Sequence, residues 1–350
     1  MGFVVAAAAA VTVTVTVTVA VVVVLTAAAA VVLTLLLLLL LLRSQAVGIA
    51  GTKDNYWSTN HQAGSSYRDY ETVGEPYNRL QAAISTLTKS AVAPSDKIGS
   101  SDAALIMKSC AADGKLLQGD KPAMSLNSQH VRFAFGTTQA ATAAATKAAM
   151  RQRSVYTVDG VFDAKATKAG MSSASTNTNN GAVISATSTT ISGQKWSVVL
   201  GARVSSATDV DYAADLGLTG ASKYVAYESN GTDTLTIGAS KLTIASCPSK
   251  SDFQIYAVAP VLPNGWTLIG EQGKWVPVSA ARFSDLSFSS SGPESEASVI
   301  ATGPEGEAIA VSWLAPGKTS RTVVSCTIPQ GSKVYVKVST ANPAGECIAV

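Results

Sequence analysis

The chain has 350 residues, of which only 14% are charged and 47% are hydrophobic, with a net charge of +3. That length allows one to three domains. The weak positive balance carries no basic run, so no nucleic-acid partner is expected, and two histidines among 350 residues leave little from which to build a zinc site. No cofactor or metal is expected.

Residues 2–42 contain no charge. They pass through alanines, a Val-Thr alternation from Val11 to Val19, a valine block, and eight leucines from Leu35 to Leu42. The leucine core, then Arg43 and the small-x-small site Ser44-Gln45-Ala46, read as a secretory signal peptide. The run is about twice the usual signal core, and about 20 apolar residues already span a bilayer, so an uncleaved anchor through residues 3–42 is a second reading. Simple-sequence expansion or a misplaced start is a third. The basic n-region is absent, so flanking charge does not give the orientation. Ala6 breaks the myristoylation pattern. Either membrane reading places the rest of the chain outside the cytosol.

From Glu75 to Leu87 the residues Tyr77, Leu80, Ala83, Ile84 and Leu87 fall at helical spacing, with Pro76 suited to a first turn. A short apolar strand over Ser90–Pro94 follows. After the Ser95, Asp96, Gly99 loop, Asp102 can cap a second helix through Ala104–Met107. Asp113-Gly114 marks a turn and Pro122 an exit.

This order of words, a strand ending Ser95-Asp96, Gly99, a helix with paired apolar residues, Asp113-Gly114 and a loop closed by Pro122, resembles the end of the catalytic barrel in the raffinose synthase and alkaline α-galactosidase family of glycoside hydrolases. A second match lies downstream. Val225–Leu262 followed by Gly265–Gly270 resembles the β-sandwich that comes after the barrel in that family. The resemblance covers about residues 75–350 and implies a short α/β remnant of a (β/α)8 barrel ahead of the sandwich. It places Asp96 at the C-terminal end of the last barrel strand, the face where barrel enzymes keep their sites. There a carboxylate can bind sugar hydroxyls; capping of the following helix is the structural alternative.

Two departures from the family pattern weaken the enzymatic reading. Lys89, Ser90 and Ala91 stand where the family usually has Gly-Gly-Pro. The family's nucleophile and acid/base are aspartates on earlier strands, and only about thirty residues separate Leu42 from Pro76, against roughly 250 for a full barrel. No residue here matches either aspartate. A partial barrel also bares apolar surface, so a partner chain, a second copy or a rearranged fold is expected to cover it.

Thr137–Met150 is alanine-rich, and Met171–Ser192 turns to Ser, Thr, Asn and Gly, which reads as a linker. Between them Ser154–Phe162 carries the Asp-Gly turn of a hairpin. Strands are then expected at Trp196–Val204, Lys223–Glu228, Thr234–Ile244, Phe253–Leu262, Trp266–Val278, Phe283–Phe288, Ala297–Ala301, Ala308–Leu314, Thr322–Ile328 and Lys333–Val338. The fold class is mainly β, a C-terminal antiparallel β-sandwich preceded by the short α/β remnant and by an apolar N-terminal helix. The domains are 1–46 (signal or anchor), 47–135 (barrel-end α/β segment), 136–192 (linker with a first hairpin) and 193–350 (sandwich).

An aromatic face can stack on a pyranose ring, which makes Trp196, Trp266, Trp275 and Trp313 candidates. Trp275 leads them because Glu271 and Arg282 stand near it in sequence and could fix a ligand; the structural alternative is that a strand aromatic is core. Trp57, beside Asp54, Asn55 and Tyr56, is a further candidate. Asn230-Gly231-Thr232 is a glycosylation sequon.

The four cysteines permit three pairings. Cys326 and Cys347 flank the last two strands and are the leading pair, which leaves Cys110 with Cys247 to tie the two domains; four buried free thiols are the alternative.

Three functions follow. One is a secreted or membrane-tethered non-catalytic protein, carbohydrate-associated or structural. Another is the C-terminal part of a glycosidase or galactosyltransferase whose barrel lies outside this sequence. The third is a surface protein that self-assembles through its sandwich edges.

Overall fold

The computed structural model describes residues 54–62, 74–129, 183–229, 235–247, 253–289, 292 and 294–350. The apolar N-terminus with Ser44-Gln45-Ala46, the hairpin at 154–162 and the sequon at Asn230 lie outside them. Among the described residues no helix is long and apolar enough to cross a membrane.

The chain is mainly β, and its organising element is a six-stranded antiparallel sheet. In chain order its strands are β1 (Met124–Ser125), β2 (Val183–Ile191), β3 (Gln194–Ala202), β5 (Tyr224–Glu228), β6 (Leu235–Ile237) and β8 (Phe253–Pro260). They lie side by side as β1-β2-β3-β8-β5-β6. The Ser/Thr-rich stretch expected as linker therefore ends in a strand. Its β-branched residues suit a pleated surface, and Thr187 and Thr189 are buried, with Thr187 Oγ1 held by the Lys121 carbonyl at 2.5 Å.

A two-residue turn joins β2 to β3, with Ile191 opposite Gln194 and both Ser192 (φ 47°) and Gly193 (φ 78°) left-handed. This is the pairing that type I′ hairpins require. Ser192 keeps its place because its Oγ accepts from Leu286 N–H at 3.0 Å, whereas Gly193 needs only its freedom to adopt positive φ. Gly193→Ala is expected to lower stability by about 1–2 kcal/mol, read as a shift of the urea midpoint at unchanged slope.

Strand β3 is buried on both sides from Trp196 to Ala202. Val198, Leu200 and Ala202 point to one face, where helix α1 (Asn78–Leu87) lays Leu80, Ala83 and Leu87 on them together with Phe253 and Ile255 of β8. Val199 points to the other face. There it meets a two-stranded ribbon, β4 (Thr208–Asp211) with β7 (Lys241–Ile244), and the loop carrying Tyr212, Leu216 and Leu218. The expected single strand over 234–244 is thus two strands, turned apart at Gly238.

The sandwich follows. One layer holds β9 (Thr267–Glu271), β12 (Ala308–Leu314) and β13 (Arg321–Thr327) in the order β13-β12-β9. The other holds β10 (Phe283–Phe288), β11 (Glu296–Thr302), β14 (Lys333–Ser339) and β15 (Glu346–Ala349) in the order β10-β11-β14-β15. Alternate residues of both layers, such as Val299, Ala301, Val334, Val336 and Val338 against Leu268, Val311, Trp313 and Val324, fill one core. That core continues into the six-stranded sheet through Ile191, Trp196 and Ala259, and Trp196 Nε1 donates to the Leu268 carbonyl at 2.8 Å.

Ser90–Pro94, expected as a strand, makes a single parallel bridge, Tyr56 with Pro94. The apolar face of α1 packs on this chain's own antiparallel sheet.

Candidate functional site

Asp96 sits in the loop after the Pro94 bridge, half-buried. Its carboxylate accepts from three protein donors: Oδ1 from Ser58 N–H at 2.7 Å and Gln62 Nε2 at 2.6 Å, and Oδ2 from Ser58 Oγ at 2.6 Å. Ser58 Oγ in turn accepts from Asp102 N–H at 2.7 Å, and Gln62 Oε1 accepts from Lys97 N–H at 2.6 Å. Ser58 and Gln62 are buried. The knot pins segment 54–62, with half-buried Trp57, to the 94–102 loop. Asp96 does not cap the following helix. Asp102 does, as expected, accepting from Leu105 N–H at 3.0 Å at the start of α2 (Ala103–Ile106). Beneath the knot the Tyr56 hydroxyl is buried without a partner, and burial, then the charges of Asp96 and Cys110, pushes its pKa up to about 12.

Asp96→Ala would strand the buried Ser58 and Gln62 donors at about 1–3 kcal/mol each. We expect faster hydrogen exchange across 54–62 with β12 unchanged; equal protection in both segments would show that Asp96 is not what holds the knot.

The second polar cluster is an ion-pair network. Arg282, 1% exposed, donates through Nε to Glu271 Oε2 at 2.7 Å. Through Nη1 and Nη2 it makes a two-pronged contact with Glu307 Oε2 and Oε1, both at 2.7 Å. Lys274 approaches Glu271 at 3.7 Å and donates to the Met107 and Cys110 carbonyls at 2.8 and 2.7 Å. Glu307 Oε1 also accepts from Ala112 N–H at 2.8 Å. Burial raises the Glu271 pKa, a shift that Arg282 and Lys274 only partly offset. Burial also pushes on Glu307, but hydrogen bonds from Arg282 and Ala112 hold it below the ordinary value. The network fastens residues 107–112 to the sandwich, helped by Ser279 Oγ donating to the Gln118 carbonyl at 2.8 Å. Glu271 and Arg282, which the sequence offered as groups that could fix a ligand beside Trp275, bond to each other.

Trp275 itself is 3% exposed. Phe253 lies 6.1 Å from its ring and the Lys108 ammonium 5.0 Å above it, so no face is open to a sugar. Burial, then Arg79 and Lys274, lowers the Lys108 pKa. Trp196, Trp266 and Trp313 are all core. Of the tryptophan candidates, only Trp57 retains partial exposure. The cavity lined by Thr189, Trp196, Ser197, Ile269 and Pro277 has room for no more than about one water.

Cys326 and Cys347 form the expected disulfide, with Cα atoms 5.7 Å apart. It joins β13 of one layer to β15 of the other. The Cys110–Cys247 pairing is corrected: both are buried thiols outside any disulfide. Cys247 packs on the sheet face opposite the helices, while Cys110 belongs to the helical segment. Among the described residues no group of three or more His, Cys, Asp or Glu side chains is placed to hold a metal.

Sequence reasoning missed Ser58, Gln62 and Glu307. Each is a common polar residue whose partner lies 38, 34 and 25 positions away, and no local pattern marks it. No protein-family profile matches the chain, and no curated relative matches it.

Proposed function

We propose that this chain is a secreted or membrane-tethered, non-catalytic protein that works outside the cytosol in a carbohydrate-associated or structural role. The observation that carries the reading is the Cys326–Cys347 bridge between the two sandwich layers, a bond that persists in oxidising compartments. The carboxylates that stood nearest to a sugar-binding role support it as well. Asp96 and Glu271 are committed to protein donors, and Trp275, which would have stacked on the sugar, is enclosed. The resemblance to the raffinose synthase and alkaline α-galactosidase family supports the carbohydrate association and leaves Trp57 as its aromatic contact.

The test uses protein taken from its own source. Alkylation of the denatured, unreduced chain should label two cysteines, Cys110 and Cys247, and spare two. Labelling of all four would end the extracellular reading. An immunoblot after removal of N-glycans should show a band near or somewhat below 35.7 kDa. A much heavier band would favour the C-terminal part of a larger hydrolase.

A further inference from the structure

We propose that β15 is a thiol-releasable cover over the outer edge of the sandwich, shut while Cys326–Cys347 is oxidised and open once it is reduced.

The sandwich has four strand edges, and two are shielded by the rest of the molecule. Beyond β9 runs the 272–278 loop, with Glu271 N–H donating to the Pro277 carbonyl at 2.8 Å. Beside β10 stands the β2–β3 hairpin, through the Leu286 to Ser192 bond. The other side ends in β13 and β15, and the disulfide is the bond that closes it.

Strand β15 is held weakly apart from that bond. Its four residues are all exposed, and none belongs to the core. It pairs along one side only, over the short register from Lys337–Glu346 to Val334–Ala349 of β14. A four-residue ladder with no buried side chain belongs to the low-stability end of a fold, the part that opens first. The strand beneath is different. Val334, Val336 and Val338 of β14 are in the core and β11 pairs along its other side, so β14 stays when β15 leaves.

Access is one-sided. Cys347 is exposed whereas Cys326 is 4% exposed, so an external thiolate reaches the Cys347 sulfur. Its attack forms a mixed disulfide at Cys347 and breaks the bond to Cys326, which departs as a thiolate and takes a proton. The second thiol of a dithiol donor then displaces Cys347, leaving two protein thiols and the oxidised donor. With β15 gone, β14 presents unpaired N–H and C=O groups next to Tyr335, an open edge able to accept another strand.

The experiment compares hydrogen exchange of the purified, oxidised full chain with and without dithiothreitol, and it stands whatever compartment the protein occupies. Release predicts that amides of 346–349 lose protection by about 100-fold or more while β11 and β12 keep theirs. A Cys347→Ser variant, free of reagent, should reproduce the pattern. Unchanged protection in β15 would overturn the proposal, because the ladder alone would then hold the strand. Simultaneous loss in β11 and β12 would overturn it too, because the bridge would then brace the whole sandwich.

Discussion

Replacing Arg282 with methionine is expected to destabilise the protein by about 3–5 kcal/mol, because it strands Glu271 and Glu307 as buried charges without their shared cation. The loss comes from the uncompensated charges, not from a large net worth of the pairs. An Arg282→Met, Glu271→Gln, Glu307→Gln triple variant should therefore recover part of it. Urea titration at neutral pH reads all three proteins, and a single variant within about 0.5 kcal/mol of wild type would refute the argument.

The same network sets a pH dependence with two opposed signs. Glu307 has its folded pKa lowered, so its contribution is fully present above the unfolded value and is lost as pH falls through the folded one. Glu271 has its folded pKa raised by burial, so its charged form opposes folding at neutral pH, and that opposition disappears as pH falls through its folded value. Glu307→Gln should accordingly cost more than Glu271→Gln at pH 7. In acid the gap should close. Equal costs at pH 7 would contradict the assigned directions.

The second large effect is expected in the sandwich core. Trp266 and Trp313 are fully buried and meet edge to face with ring centres 6.5 Å apart. Trp313→Ala should cost about 3–5 kcal/mol through the lost contacts and the cavity left behind. Trp313→Phe should cost less than Trp313→Ala, since it keeps an aromatic ring in the site and the Trp313 indole N–H has no partner to lose. Trp196→Phe should be worse than Trp313→Phe because its indole N–H donates to the Leu268 carbonyl. Thermal unfolding of the three variants ranks them, and a Phe variant at position 313 as damaging as the Ala variant would place the energy in ring shape instead of area.

What could be read from the chain follows from what is local. Phe283–Phe288 and Ala308–Leu314 are strands as expected, since each is a short β-branched or aromatic run between turn residues. Val183–Ile191 was hidden because five of its nine residues are Ser or Thr; the burial of Thr187 and Thr189 depends on layers that the strand does not encode. The expected strand over Trp266–Val278 stops at Glu271, where the chain turns to bring Arg282 back beside that glutamate. Trp275 illustrates the limit on sites. Its neighbours in sequence suggested an open polar turn, but Lys108 and Phe253, which enclose it, come from distant parts of the chain.

The double-sided burial of β3 also bears on how the protein is made. Helix α1 ends at Leu87, yet the strand residues that cover it run as far as Ile255 of β8. A ribosome adding ~5–20 residues per second needs roughly 8 to 33 seconds to travel from Leu87 to Phe253. For that interval the apolar stripe of Leu80, Ala83 and Leu87 is made ahead of its native cover. Slowing elongation anywhere between the two should raise aggregation of the nascent chain, and polar substitutions on that stripe should relieve the aggregation while weakening the finished fold.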